Sequence, residues 1–464
     1  LLRELDKPQQ NYYRFGLYYR GEQPLGFVSE EDLEAIGAGL SHLRVNIPRL
    51  LVNSLAERMR ITGVSCDAAD VWPDFVANDL DQLAGAVHRS ALLYGQSFVT
   101  VWGEDAKPIV TVESPLNMSV LTDPATREIT SACKKWEDKT KGETHVMVYL
   151  PDKIQHWRSD TVGTANTSYK LVESRPNPLG QVCVVRFLNS DLIGGDAWSE
   201  ISDIAGLSDA LSKVTTDMLT ASEFLAKPRR YLTGEALSGV PVYDENGDPV
   251  VDANGDPVVE KVVSVPDGDR FMQAEKPEAK FGQLPGAPLD GFRNAADLIR
   301  TQISAVGNLP QSYLGDDKAN PASADAIKNA EAGLVARVTG KMASLGRSWE
   351  AVGRLMAAVR TGRDSRTIQC RVKWGDPNLR SESQFADAAQ KLHSEGLISR
   401  KSVLRARGLT DDEIAEELHE IYTEMQTEAL AKSDPALMRF AKSQEAAGNM
   451  SYAPLGDELK GVNL

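Results

Sequence analysis

Three short runs carry residue types that can do chemistry. Pro266-Asp267, followed by Glu278-Ala279-Lys280, fits the loose pattern of a metal-dependent nuclease, in which two carboxylates hold magnesium and a lysine supports the attacking water. In a chain that is 25% charged such a match arises easily by chance. Pro277 also abuts Glu278, where a central strand would be needed. Thr339-Gly340-Lys341-Met342 has the wording of the end of a phosphate-binding loop. The earlier glycine of that loop is missing, methionine fills the Ser/Thr position, and the segment lies inside a helical pattern, so this reading is rejected. Asp244-Glu245-Asn246-Gly247-Asp248-Pro249-Val250 repeats as Asp252-Ala253-Asn254-Gly255-Asp256-Pro257-Val258, and its acidic residues suggest a calcium loop. Proline stands where such a loop needs its invariant glycine, and Gly255 takes the place of the closing glutamate. Exposed Asn-Gly hairpin turns are the better reading.

The remaining candidates for metal or nucleophilic chemistry are scattered. His42, His88, His145, His156, His393 and His419 form no HxxxH or His/Cys cluster and read as surface or packing residues, and there is no GxSxG. Cys66, Cys133, Cys183 and Cys370 lie far apart without a CxxC pair, which reads as reduced structural thiols and argues against zinc. No catalytic, metal or cofactor residue is assigned, and no enzyme is expected. With 464 residues, 42% of them hydrophobic, and a mean hydropathy of -0.31, the composition is that of a soluble protein with more than one core. No apolar run is long enough for a membrane span and no signal peptide is seen, so an intracellular site is expected. The first residue, Leu1, sets the further expectation that the numbering starts inside a longer reading frame. A net charge of -15 disfavours a general basic grip on nucleic acid but suits a surface that lets a polyanion pass.

The elements that would position any site centre on 289–361. Leu289, Phe292, Ala296, Ile299, Ile303 and Val306 form one helical stripe that stops at Gly307-Asn308-Leu309-Pro310. After the polar break Gly315-Asp316-Asp317-Lys318, Asn320 and Pro321 open a second helix of roughly 40 residues, or about 60 Å. Gly333, Gly340, Gly346 and Gly353 inside it permit a bend or close packing. An equally regular stripe precedes it: Ile201, Ile204, Leu207, Leu211, Val214, Met218, Ala221 and Leu225, ended by Pro228.

Upstream, Tyr12-Tyr13-Arg14-Phe15 and Tyr18-Tyr19-Arg20 form an aromatic cluster, read as an anchor for the terminus, with a base-stacking platform as the alternative. Helices are expected from 29, from Asn46-Ile47-Pro48, and over 73–94 up to Gly95. Period-two runs at 97–102, 109–113, 129–137, 144–150, 154–158, 169–173 and 182–187 predict a mainly antiparallel sheet and an α+β class. The alternation of Ile368, Cys370, Val372 and Trp374 predicts a strand returning to that sheet. Helices at 381–395, 401–407 and 410–430 follow, with capping boxes Ser381/Gln384 and Thr410/Glu413. The last thirty or so residues stay unassigned.

The string Leu-Gly-Asp-Asp-Lys-Ala-Asn-Pro-Ala-Ser-Ala-Asp-Ala-Ile at 314–327, with the following Ala-rich helix carrying Trp349, resembles the tunnel loop and long helix of tailed-bacteriophage portal proteins. Tyr94-Gly95-Gln96-Ser97-Phe98-Val99-Thr100-Val101, Glu113-Ser114-Pro115 and Asp123-Pro124 also look like that family's wing domain. The order of parts is similar over most of the chain, from the aromatic N-terminus to the crown helices. The resemblance implies an N-terminal arm and α/β wing (1–197), a stem helix (198–227), a clip with a hairpin insert (228–287) and a second stem helix (288–306). It then implies a tunnel loop (307–320), a long kinked helix with a returning strand (321–376), and a helical crown with a tail (377–464). Stem packing falls to Leu211, Val214, Met218, Phe292, Ile299 and Ile303; channel contact with DNA falls to Asp316, Asp317, Lys318 and Asn320. The implied function is a homo-oligomeric ring, usually of about twelve subunits, at one capsid vertex. It is assembled in the host cytoplasm, passes double-stranded DNA, and meets the terminase, the major capsid protein and the head-tail connector proteins. The alternatives are the nuclease and another head or tail structural protein.

Overall fold

The computed structural model describes residues 1–24, 44–104, 106–163, 169–190, 192, 196–226, 230–233, 240–244, 247–252, 255, 258–260, 280–283, 289–315, 324–378, 389–407 and 409–433. The expectations for Asp316, Asp317, Lys318 and Asn320, for Asp267 and Glu278, for a helix from 29, for Ser381/Gln384 and for the last thirty residues lie outside the described residues. Two units emerge, one of Leu1–Gln23, Asn46–Ser208 and Gln302–Leu464, the other of Pro24–Val45 and Asp209–Thr301.

The first unit begins with helices α1 (Leu2–Asp6) and α2 (Gln9–Arg20). The aromatic cluster is an anchor. Tyr12 and Phe15 are buried, Gln96 Nε2 donates to the Tyr12 hydroxyl at 2.7 Å, and Tyr12 meets Tyr94 edge-on at 5.4 Å. Tyr19 adds a 2.8 Å hydrogen bond to Asn53 Oδ1. Helix α3 (Ile47–Ala56) starts as its sequence dictates, with the Asn46 side chain accepting from Arg49 N and Pro48 in the first turn. The single helix expected over 73–94 is instead two, α4 (Trp72–Ala77) and α5 (Leu80–Tyr94). Asn78 causes the break: its side chain donates to Pro108 O and accepts from Val110 N, while Asp79 takes φ 56°. Gly95, at φ 84°, closes α5 as expected.

Among the described residues the sheets are antiparallel, but they are several. Strands β2 (Gln96–Glu104), β3 (Lys107–Glu113) and β9 (Val184–Leu188) form a three-stranded sheet in the order β3-β2-β9. Strands β4 (Met118–Thr122), β5 (Ile129–Asp138), β6 (Glu143–Tyr149), β7 (Lys153–Ser159) and β8 (Lys170–Pro176) form a meander in chain order. Phe98, Met118, Ala132, Tyr149 and Cys183 pack between the two. The strand β14 (Cys370–Trp374) does not return to either sheet. Among the described residues it pairs with β1 (Ile61–Cys66), a strand that the sequence pattern missed. That register sets Cys66 opposite Cys370, and the two form a disulfide across 304 residues of chain. The expectation of four reduced thiols is therefore corrected: Cys133 and Cys183 are free and buried, and the other pair is joined. Sequence separation hid a pairing that strand register creates.

The second unit holds most of α6 (Ala205–Ala226) and α7 (Asp290–Gly307), with the short strand pairs β10 (Arg230–Thr233) with β13 (Lys280–Gln283) and β11 (Val240–Pro241) with β12 (Val259–Glu260). The described residues of the repeat are exposed, with Gly247 and Gly255 at φ 87° and 88° and Val250 N bonded to Val242 O. In the first unit again, α8 (Ala324–Thr361) is an uninterrupted helix of 38 residues. Two further helices, α9 (Arg400–Ala406) and α10 (Asp411–Ser433), close the described chain, and Thr410 with Glu413 makes the expected capping box.

Candidate functional site

The geometry converges on α8 and on what it grips. Its C-terminal half is fixed by Trp349, which is fully buried and packs edge-on to Phe187 at 4.8 Å, to Phe75 at 5.6 Å and to His88 at 5.9 Å. Trp349 Nε1 donates to His88 Nε2 at 2.8 Å, which places the imidazole proton on Nδ1. Burial pushes His88 down to about 3, so this ring is neutral. Two glycines set the fit of α8 against its neighbours. A Cβ on Gly346 would lie 3.2 Å from Trp374 Nε1, and one on Gly353 would lie 3.1 Å from Val64 and 3.4 Å from the sulfur of Cys66.

The N-terminal half of α8 carries charges pointing into the fold. Glu200 sits in a 3-10 turn (Glu200–Asp203) just before α6 and is 1% exposed. Its carboxylate accepts from Asn189 Nδ2 at 2.8 Å, pairs with Lys341 Nζ at 2.9 Å, and takes a short charge-assisted hydrogen bond from Arg337 Nη2. Arg337 Nη1 also donates to Val306 O, at the end of α7, at 3.2 Å. One guanidinium therefore ties the root of α6, the end of α7 and the long helix together. A pair so buried is strongly destabilising to break, at about 3–5 kcal/mol when one partner is removed. Lys341 thus has a structural role, in agreement with rejecting the phosphate loop.

The segment after α7 is docked. Within 307–315, the described part of the expected tunnel loop, several contacts fix the chain. Leu309 is buried, Ser304 Oγ donates to Leu309 O at 2.7 Å, and Asn308 takes φ 51°. Tyr313, in the 3-10 turn Gln311–Leu314, donates to Glu331 Oε1 at 2.7 Å, and Arg58 donates to both Tyr313 and Glu331. The physical reason is that Leu309 and Tyr313 supply an apolar and a polar anchor within a stretch whose Gly and Pro content suggests looseness.

Among the predicted packing residues, Leu211 and Ile303 are fully covered, whereas Val214, Met218, Phe292 and Ile299 are half-buried. Sequence reasoning missed Glu200, Arg337 and Glu331, because charged residues inside amphipathic helices read as solvated faces. It also kept His145 and His156 apart. The β6–β7 register brings them to 3.0 Å, Nδ1 to Nε2, in a stack with Trp136. Among the described residues no group of three or more His, Cys, Asp or Glu is placed to hold a metal.

A family model described as phage portal protein, SPP1 Gp6-like, matches residues 41–429. The chain belongs to the phage portal protein family. Two relatives named portal protein accompany it, from Mycobacterium phages L5 and D29. Each is 29% identical, over 407 and 406 residues, covering 82% of this portal-family chain and 78% of the relative. A solved structure titled as the neck of a native GTA particle computed with C12 symmetry shares 12% identity over 87% of this chain and 94% of its own, with a TM-score of 0.44. A native gene transfer agent virion shares 12% over 84% and 96%, with a TM-score of 0.38.

Proposed function

We propose that this portal-family chain assembles with copies of itself into a ring at one vertex of a phage head, and that double-stranded DNA enters and leaves through the ring. The family match over 41–429 carries the proposal. In this reading α6 and α7 are the stem, β10–β13 the clip, the antiparallel sheets the wing, α8 the spine beside the channel, and α9 and α10 the crown. The ring docks the terminase during packaging, sits among major capsid subunits, and later receives the head-tail connector proteins. Its role is structural. No described helix is long and apolar enough to cross a membrane.

Two features support the ring. Along α7, Phe292 and Ile299 stay half-buried and Leu298 and Val306 are exposed, which leaves apolar surface for neighbouring copies. The docked segment 307–315 would hold every copy of the following loop at one height. DNA contact is assigned there to Lys318 and Asn320, with Asp316 and Asp317 preventing a phosphate contact from becoming a trap. The variant Asp316→Lys with Asp317→Lys tests this. It should assemble normally but package or eject DNA more slowly, with the defect relieved by added salt. Normal packaging and ejection would remove the channel role of these residues.

A further inference from the structure

Against the C-terminal half of α8 lies a groove of about 1000 Å³. Arg347 and Arg354 from α8, Arg366 from the turn after it, and Arg127 from the β4–β5 connection line it, against only Asp123 and Glu128. Its floor is apolar, with Val182, Val184 and Leu355 among the lining residues. Arg127, Arg354 and Arg366 have no ionic partner among the described residues, and Arg347 is largely exposed although it meets Glu350 at 3.0 Å. A cationic rim over an apolar floor calls for an occupant that is acidic and apolar together.

The chain itself displays such a surface. Between Asp411 and Glu428 there are eight acidic residues and no Lys or Arg. Asp411 is used internally by Lys373 and Arg405, and Asp412 by Trp72. Glu416, Glu417, Glu420 and Glu424 have no ionic partner among the described residues, and Met425, next to Glu424 on the helix, is 54% exposed. Glu417, Ile421, Glu424 and Met425 share one helical face. Glu417 and Glu424 stand two turns apart, about 10.5 Å, the same axial spacing as Arg347 and Arg354.

We propose that the arginine groove of one copy receives the acidic face of α10 from the next copy. The proposal rests on the ring reading above. Groove and helix are different surfaces of one chain, so their union is head-to-tail, the interface type that forms a ring when the rotation between copies closes. A nucleic acid is a poorer occupant, because it offers no apolar side chains to the floor and meets Asp123 and Glu128 at the rim.

Native mass spectrometry of the full-length chain at several salt concentrations reads this directly. Arg347→Glu with Arg354→Glu should lose rings, Glu417→Arg with Glu424→Arg should lose them too, and the four changes combined should restore them. The neutral pair Arg347→Gln with Arg354→Gln should shift the balance toward monomer and flatten its salt dependence. Intact rings from either reversal, or failure of the combined variant to regain them, would overturn the proposal. So would reversed-groove rings that persist but no longer bind a duplex DNA probe, since the groove would then take nucleic acid. Absence of rings from the unsubstituted chain would instead remove the ring reading itself.

Discussion

At the scale of single residues, the buried histidine is the most informative. His88 accepts from Trp349 and stays neutral because burial lowers it to about 3 from 6.5. An unfolded chain protonates this side chain as pH falls below 6.5, while the folded chain does not, so the stability tied to it is full above 6.5 and lost between 6.5 and about 3. The slope is up to about 1.4 kcal/mol per pH unit. His88→Gln keeps an acceptor for Trp349 and removes the titration. Urea denaturation across that window should show the variant losing less stability with acid than the parent; parallel profiles would exclude this role.

At the scale of elements, the glycines of α8 separate propensity from packing. Gly340 has nothing within 4 Å of an added Cβ, so Gly340→Ala should stabilise by about 1 kcal/mol through helix propensity. Gly353→Ala gains the same propensity, but its methyl group meets Val64, which is itself buried, and overpacking at about 1–3 kcal/mol should win. Thermal melts should therefore move in opposite directions. A second test concerns the join of β1 to β14. Alkylation of the unfolded, unreduced chain should label two cysteines, and four after reduction. Reduction should lower stability by about 2–4 kcal/mol. Four labels without reductant would show the bond absent.

These elements also show where sequence reading succeeds and stops. Helices with clean stripes and caps, such as α3 and α7, and alternating strands such as β5 to β7 were legible because local spacing decides which face is buried. The break at Asn78, the pairing of β14 with β1, and the Cys66–Cys370 bond were not, because each depends on a partner distant in sequence. The candidate site followed the same rule. The position of α8 could be read from its pattern, whereas the cluster of Glu200, Arg337 and Lys341 arises only when two segments distant in sequence meet. Buried charges on helices leave no periodic signature.

At the scale of the whole molecule, the family match turns a set of helices and sheets into one expected assembly. A single chain leaves Leu298 and Val306 exposed on α7 and Tyr422 and Met425 on α10. Surfaces of this kind are covered when copies associate around an axis. The decisive measurement is native mass spectrometry of the purified full-length chain, with electron micrographs of the same sample. The account predicts one closed oligomer, an integral multiple of the 50.6 kDa subunit, seen end-on as a ring with a central hole. A monomer at every concentration, or open-ended filaments, would contradict it.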